Sequence, residues 1–177
     1  RPDRVDRARR ETRLKRDRLY REIVKGLEAE LDGNEFQACA CALLKRIYPT
    51  LAPMPGGQDA GQDGTIAGGR GQGPFLVVTT SDVPRNVQKN LRSHKRAGGR
   101  RREVVVATSR HVTPTARRKI EEAARKLGFV VKNLHERAWF ATALYRDASW
   151  RKQLLGITGE MPALTTVPLT DRPLLAV

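Results

Sequence analysis

Residues 75–134 constrain the fold more than any other stretch. Phe75-Leu76-Val77-Val78-Thr79-Thr80 is uncharged and rich in β-branched side chains, as a strand at the centre of a sheet requires. From Val83 to Arg96 the pattern is helical, with Ser81 or Asp82 placed to cap it. Glu103 to Ala107 is a second apolar strand of buried type. Thr113-Pro114 opens another helix, with proline at its first position. Ala116, Ile120, Ala123 and Leu127 line its inner face, and Gly128 closes it. Phe129 to Leu134 is a third strand. Strand–helix–strand–helix–strand demands two crossovers, which are right-handed and build a parallel sheet. The fold class is therefore α/β.

Two helices precede this core. Tyr20, Ile23, Val24, Leu27 and Leu31 recur at helical spacing, giving a helix from about Lys15 to Leu31. Asp32-Gly33-Asn34 breaks it. Asn34 is placed to cap the next helix, with Gln37 completing a capping-box pattern. That helix, about Glu35 to Tyr48, carries Phe36, Ala38, Cys39, Ala42, Leu43 and Ile47 and reads as mostly buried; Pro49 ends it. Residues 53–73 are dense in glycine and hold only short strands and turns. Thr65-Ile66-Ala67 is the expected strand there and Gly68 to Gly73 the expected hairpin loop, so an antiparallel partner precedes Phe75. A last helix spans about Arg137 to Leu155. The expected order is α-α-β-β-α-β-α-β-α. The domain runs from residue 19 to 157, between a basic arm, 1–18, and a proline-containing tail, 158–177, that reads as a linker. The tail and the initial Arg1 suggest part of a longer protein with a further domain C-terminal to this one.

Charge bounds the partners. The 177 residues carry 34 Lys and Arg against 19 Asp and Glu, a net +15, so a polyanion is the first partner to consider and nucleic acid the commonest. No apolar run approaches the roughly 18 residues that a membrane span needs. Cys39 and Cys41 are too few for a disulfide framework or a four-ligand zinc site. Set on an apolar helix, they read as core packing in a reducing, cytoplasmic chain without a signal peptide.

The segment with the most specific chemistry is Gly56-Gly57-Gln58-Asp59-Ala60-Gly61-Gln62-Asp63-Gly64. Two carboxylates four residues apart on pliant backbone suit a hard divalent cation. The plain alternative is a turn, for which Asp and Gly are ordinary residues. The Asp-x-Gly-x-Asp-Gly pattern, following a helix that begins near Glu35-Phe36 and preceding a hairpin strand and βαβα, resembles the Mrr-like branch of the restriction-endonuclease (PD-(D/E)XK) superfamily over about residues 34–157. The resemblance implies a restriction-endonuclease-like mixed sheet flanked by helices. It also implies a metal-dependent DNA endonuclease using Mg2+ or Mn2+, with Asp63 as principal ligand and Glu35 and Asp59 assisting. Such domains often serve as effectors joined to a sensing or ATPase module, including in antiviral defence. The chain departs from the family's Glu-x-Lys on the second strand, which here reads Val77-Val78-Thr79-Thr80-Ser81. Glu35 is the substitute carboxylate and Lys89 the substitute cation, since the superfamily also places this lysine on the following helix. Each has a plainer role: Glu35 favours its helix N-terminus through the dipole, and Lys89 is one of several phosphate-binding charges.

Those charges are dense. Arg85, Lys89, Arg92, Lys95, Arg96, Arg100, Arg101 and Arg102 fall between residues 83 and 102 with no acid among them. Arg85, Lys89, Arg92 and Arg96 step by four, three and four and share one helical face. Such a stripe neutralises several phosphates without reading sequence; the plain alternative is a solvated face. His94, His111 and His135 lack metal-ligand spacing and read as surface or strand-end residues. Trp139, Phe140, Tyr145 and Trp150 are expected to pack the last helix on the sheet. Two functions follow: a metal-dependent DNA endonuclease, or a catalytically inactive nuclease-like domain that binds nucleic acid or mediates assembly, a homo-oligomer being one form of it.

Overall fold

The computed structural model describes residues 17–54, 61–68 and 72–159. Its centre is a strand pair covered on both sides. Strand β3 (Phe75–Thr79) runs parallel to β4 (Glu103–Thr108), with Phe75 opposite Val104 and Thr79 opposite Thr108. Side chains alternate across the pleat. Phe75, Val77, Val104 and Val106 enter one buried cluster; Leu76, Val105 and Ala107 enter the other.

Helices α3 (Val83–Arg96) and α4 (Pro114–Leu127) cover the first face through Val83, Val87, Leu91, Ile120 and Ala124. Both crossovers thus bring their helices to the same side. The opposite face carries α1 (Arg18–Glu28), α2 (Gly33–Leu44), α5 (Arg137–Arg146) and α6 (Ala148–Leu155), with Ile23, Leu27, Phe36, Leu44, Phe140 and Leu144 at its heart. Phe36 meets Phe140 edge to face at 5.0 Å. The result is a three-layer α/β/α arrangement with a five-stranded mixed sheet in the order β1-β2-β3-β4-β5.

The parallel half matches the reading of residues 75–134: β5 (Val130–His135) pairs parallel with β4, and a register shift falls between Val104 and Val105. The antiparallel half is larger than expected. Besides β2 (Gly64–Thr65), which pairs with β3, there is a two-residue β1 (Ala52–Pro53) beyond it. Strand β2 begins one residue before the expected Thr65-Ile66-Ala67 and ends two residues earlier than expected, at Thr65, although Ile66 still donates its N–H to the Pro74 carbonyl. The expected order thus gains a strand before β2.

It also gains a helix break. The single helix foreseen from 137 to 155 divides at Asp147, whose carboxylate accepts from the Trp150 N–H and caps α6. The cap of α2 is Asp32, which accepts from Asn34 and Glu35 N–H; Asn34 lies inside the helix, so the capping box drawn from Asn34 and Gln37 is not formed. Asp82, Thr113 and Gly128 cap as expected. Cys39 and Cys41 are buried free thiols, and burial pushes them up to about 12 and about 11. No helix among the described residues is long and apolar enough to cross a membrane. The expected arm lies outside the described residues over 1–16, as does the tail over 160–177.

One histidine is not where the sequence suggested. His94, expected at the surface or a strand end, is 1% exposed on the inner face of α3, stacked on Phe75 at 4.4 Å. Burial favours its neutral form, and the charges of Arg102 and Arg101 act the same way against an opposing backbone interaction with Arg101. The unfolded chain then takes up the proton first. The stability contribution is full above the ordinary histidine value of 6.5 and is lost as pH falls below it. Urea midpoints are therefore expected to drop between about pH 7 and about pH 5, and His94→Phe to flatten that slope. His135, also held low by burial, supplies the remainder.

Candidate functional site

Two features named from sequence involve α3: the segment around Asp63 packs against it through Gly61, and the basic row lies along it, with Asp63 not among the residues that line the groove. The first is the carboxylate at the start of β2. Asp63 donates its N–H to the Leu76 carbonyl, its own carbonyl accepts from Met54 N–H, and its Oδ2 accepts from Val78 N–H at 2.6 Å. Asp63 is thus clamped between β1 and β3. The Gln37 amide donates to the Met54 carbonyl at 3.0 Å and to the Asp63 carbonyl at 3.4 Å. Gln37 is a positioning residue that the sequence reading had assigned to a cap. The Asp63 charge also acts on α2, where it helps raise the Cys41 thiol.

On the other side the same segment touches α3. Gly61 has φ +76°, and a Cβ there would lie 2.4 Å from the Asn90 carbonyl oxygen. Only glycine satisfies both the left-handed backbone and that approach. The Asp63 segment therefore leans on the residue next to Lys89. That is the physical content of the glycine in Asp-x-Gly-x-Asp-Gly.

The second feature is the basic face of α3. Arg85, Lys89, Arg92 and Arg96 are exposed and line an open groove of about 830 Å³ together with Ser81, Asp82, Asn86, Gln88 and Ser93. Asp82 is the one acid among these residues, and its carboxylate already caps the helix at Arg85 N–H. Asn86 is held by Ser81 Oγ and the Asp82 carbonyl.

The remaining cations of the cluster separate from this stripe. Arg101 is half-buried and donates to the Ile66 and Gly73 carbonyls, at 3.0 and 2.6 Å, closing the glycine-rich hairpin against β4. Arg102 donates to the Gly99 and Arg101 carbonyls and lies 5.5 Å from the centre of the Phe129 ring. Lys95 reaches the Leu127 carbonyl at the end of α4. Arg100 is exposed on the loop before β4. Spacing alone could not distinguish a guanidinium turned to solvent from one fastening two backbone segments.

Glu35 is exposed in the first turn of α2, and Asp59 lies outside the described residues. Among the described residues no group of three or more His, Cys, Asp or Glu is placed to hold a metal ion. The described side chains therefore do not by themselves complete a donor set for Mg2+ or Mn2+, which takes several oxygens. The chain matches no protein-family model, no curated protein and no solved structure.

Asp63 has a structural role whatever its chemistry. Asp63→Ala leaves the Val78 N–H without its acceptor and is expected to cost about 1–3 kcal/mol, read as a lower urea midpoint. Asp63→Asn keeps an acceptor oxygen and is expected to retain most of that stability.

Proposed function

We propose that this is a nucleic-acid-binding domain that grips the phosphate backbone with the exposed face of α3. The observation that carries the reading is the groove lining: Arg85, Lys89, Arg92 and Arg96 in one row, flanked by short polar side chains that suit phosphate oxygens. No aromatic or aliphatic side chain is among the groove residues named above, so base stacking and sequence readout have no evident platform there. The row runs eleven helical steps from Arg85 to Arg96, about 16 Å of helix at 1.5 Å per residue. That length matches several consecutive phosphates.

The test is salt dependence. Four phosphate contacts predict a slope of log affinity against log salt of about −3.6 on duplex DNA. Arg92→Glu with Arg96→Glu should weaken binding sharply and bring the slope to about −1.8 or shallower. Undiminished binding by that variant, or binding indifferent to salt, rejects the reading.

A second reading, metal-dependent phosphodiester hydrolysis centred on Asp63 with Lys89 as the cation, is favoured by one contact: Gly61 seats the Asp63 segment against Asn90, next in sequence to Lys89. Its measure is nicking of supercoiled plasmid with Mg2+ or Mn2+ against EDTA. Asp63→Asn is the variant of choice because it spares the Val78 contact. Metal-dependent nicking lost in Asp63→Asn is the expected result of this reading. Binding without cleavage at any protein concentration assigns the domain to binding alone.

A further inference from the structure

The groove along α3 does not stop at the helix N-terminus. Ser81 and Asp82, which close it, also line a second cavity of about 490 Å³ with Val83, Pro84, Arg110 and His111. The two cavities share these residues, which lie at the carboxyl-end edge of the sheet where β3 and β4 finish. Building on the phosphate-binding reading of α3, we infer that the bound polyanion continues over this edge and that His111 makes a further phosphate contact there.

Four observations support His111 in that role. Its side chain is 55% exposed, and Nδ1 lies 3.1 Å from Glu136 Oε2. The same Glu136 oxygen accepts from Val112 N–H at 2.6 Å, which fixes the carboxylate and hence the ring. At this edge Asp82 caps α3 at Arg85 N–H and Thr113 caps α4 at Ala116 N–H, so those two donors are already satisfied and the ring is a further donor on the cavity wall. Arg110 has its Nε on the Thr80 carbonyl and Nη1 on the Glu28 carbonyl. It contributes fixed positive charge to the cavity and ties α1 to the sheet edge.

The hydrogen bonding sets a proton requirement. With Nδ1–H donated to Glu136, the neutral ring presents Nε2 as an acceptor, which a phosphate oxygen repels. Nε2 donates to phosphate only when the ring is doubly protonated. Contact at His111 is therefore coupled to uptake of one proton. The charged groups around it are Glu136 at the head of α5, Asp82 at the cap of α3, and Arg110 on its own loop.

The experiment measures affinity of the full chain for a fluorescein-labelled random-sequence DNA duplex across a salt series, at about pH 6 and about pH 8. Wild type is expected to show a slope steeper by about 0.9 at the lower pH, one extra phosphate contact. His111→Gln should bind through α3 with the same slope at both pH values. Arg92→Glu with Arg96→Glu should lose slope at both values yet keep the difference between them. A pH difference that persists in His111→Gln, or is absent from wild type, overturns the role of His111. Unweakened binding by the α3 variant overturns the reading on which it rests.

Discussion

Burying β3 and β4 on both faces is the constraint on which the remaining arrangement depends. A strand covered on one side needs only one layer of helices. Here Phe75 and Val77 must be covered by α3 and α4, while Leu76, Val105 and Ala107 must be covered by α1, α2 and α5. Once both layers are in place, the exposed faces of the outer helices are the surface left for binding. Helix α3 turns Val83, Val87 and Leu91 inward and therefore turns its arginines outward. The exposed basic row is the reverse side of a packing requirement.

The same strands organise one edge of the sheet. Ser81 and Asp82 follow β3, and Arg110 and His111 follow β4, so parallel pairing delivers them to one end of the sheet. Ligands of open α/β sheets gather at the carboxyl ends of strands for this reason. The antiparallel addition of β2 has a different consequence. It brings Asp63 to β3 at Val78 and, through Gly61, to α3 at Asn90. One short segment thereby spans from the middle of the sheet to the basic helix.

Cations that look equivalent along the chain do unlike work. Arg85, Lys89, Arg92 and Arg96 remain in solvent, where each costs little and offers its charge to a ligand. Arg101 instead satisfies the Ile66 and Gly73 carbonyls. Arg151, 2% exposed, donates to the Leu144, Tyr145 and Gly159 carbonyls and holds the residues after α6 against the body of the domain. Carbonyl-bound arginines contribute to folding, so charge counting alone overstates the surface available to a polyanion.

The α/β class, the parallel 75–134 core, the caps at Asp82, Thr113 and Gly128, and the one-faced stripe of α3 were legible in the chain. Each follows from periodicity or from a local hydrogen bond within four residues, which neighbouring side chains settle between themselves. What tertiary structure alone decided are matters of distant pairing. Strand β1 exists because β2 offers it an edge. His94 is buried because α3 lays it on Phe75, nineteen positions earlier in sequence. Gln37 serves Asp63 rather than a cap because Asp32 reached the α2 N-terminus first. Arg101 departs from the basic cluster because two carbonyls of a remote hairpin face it. Sequence spacing records which residues share a face, but only packing records what that face meets.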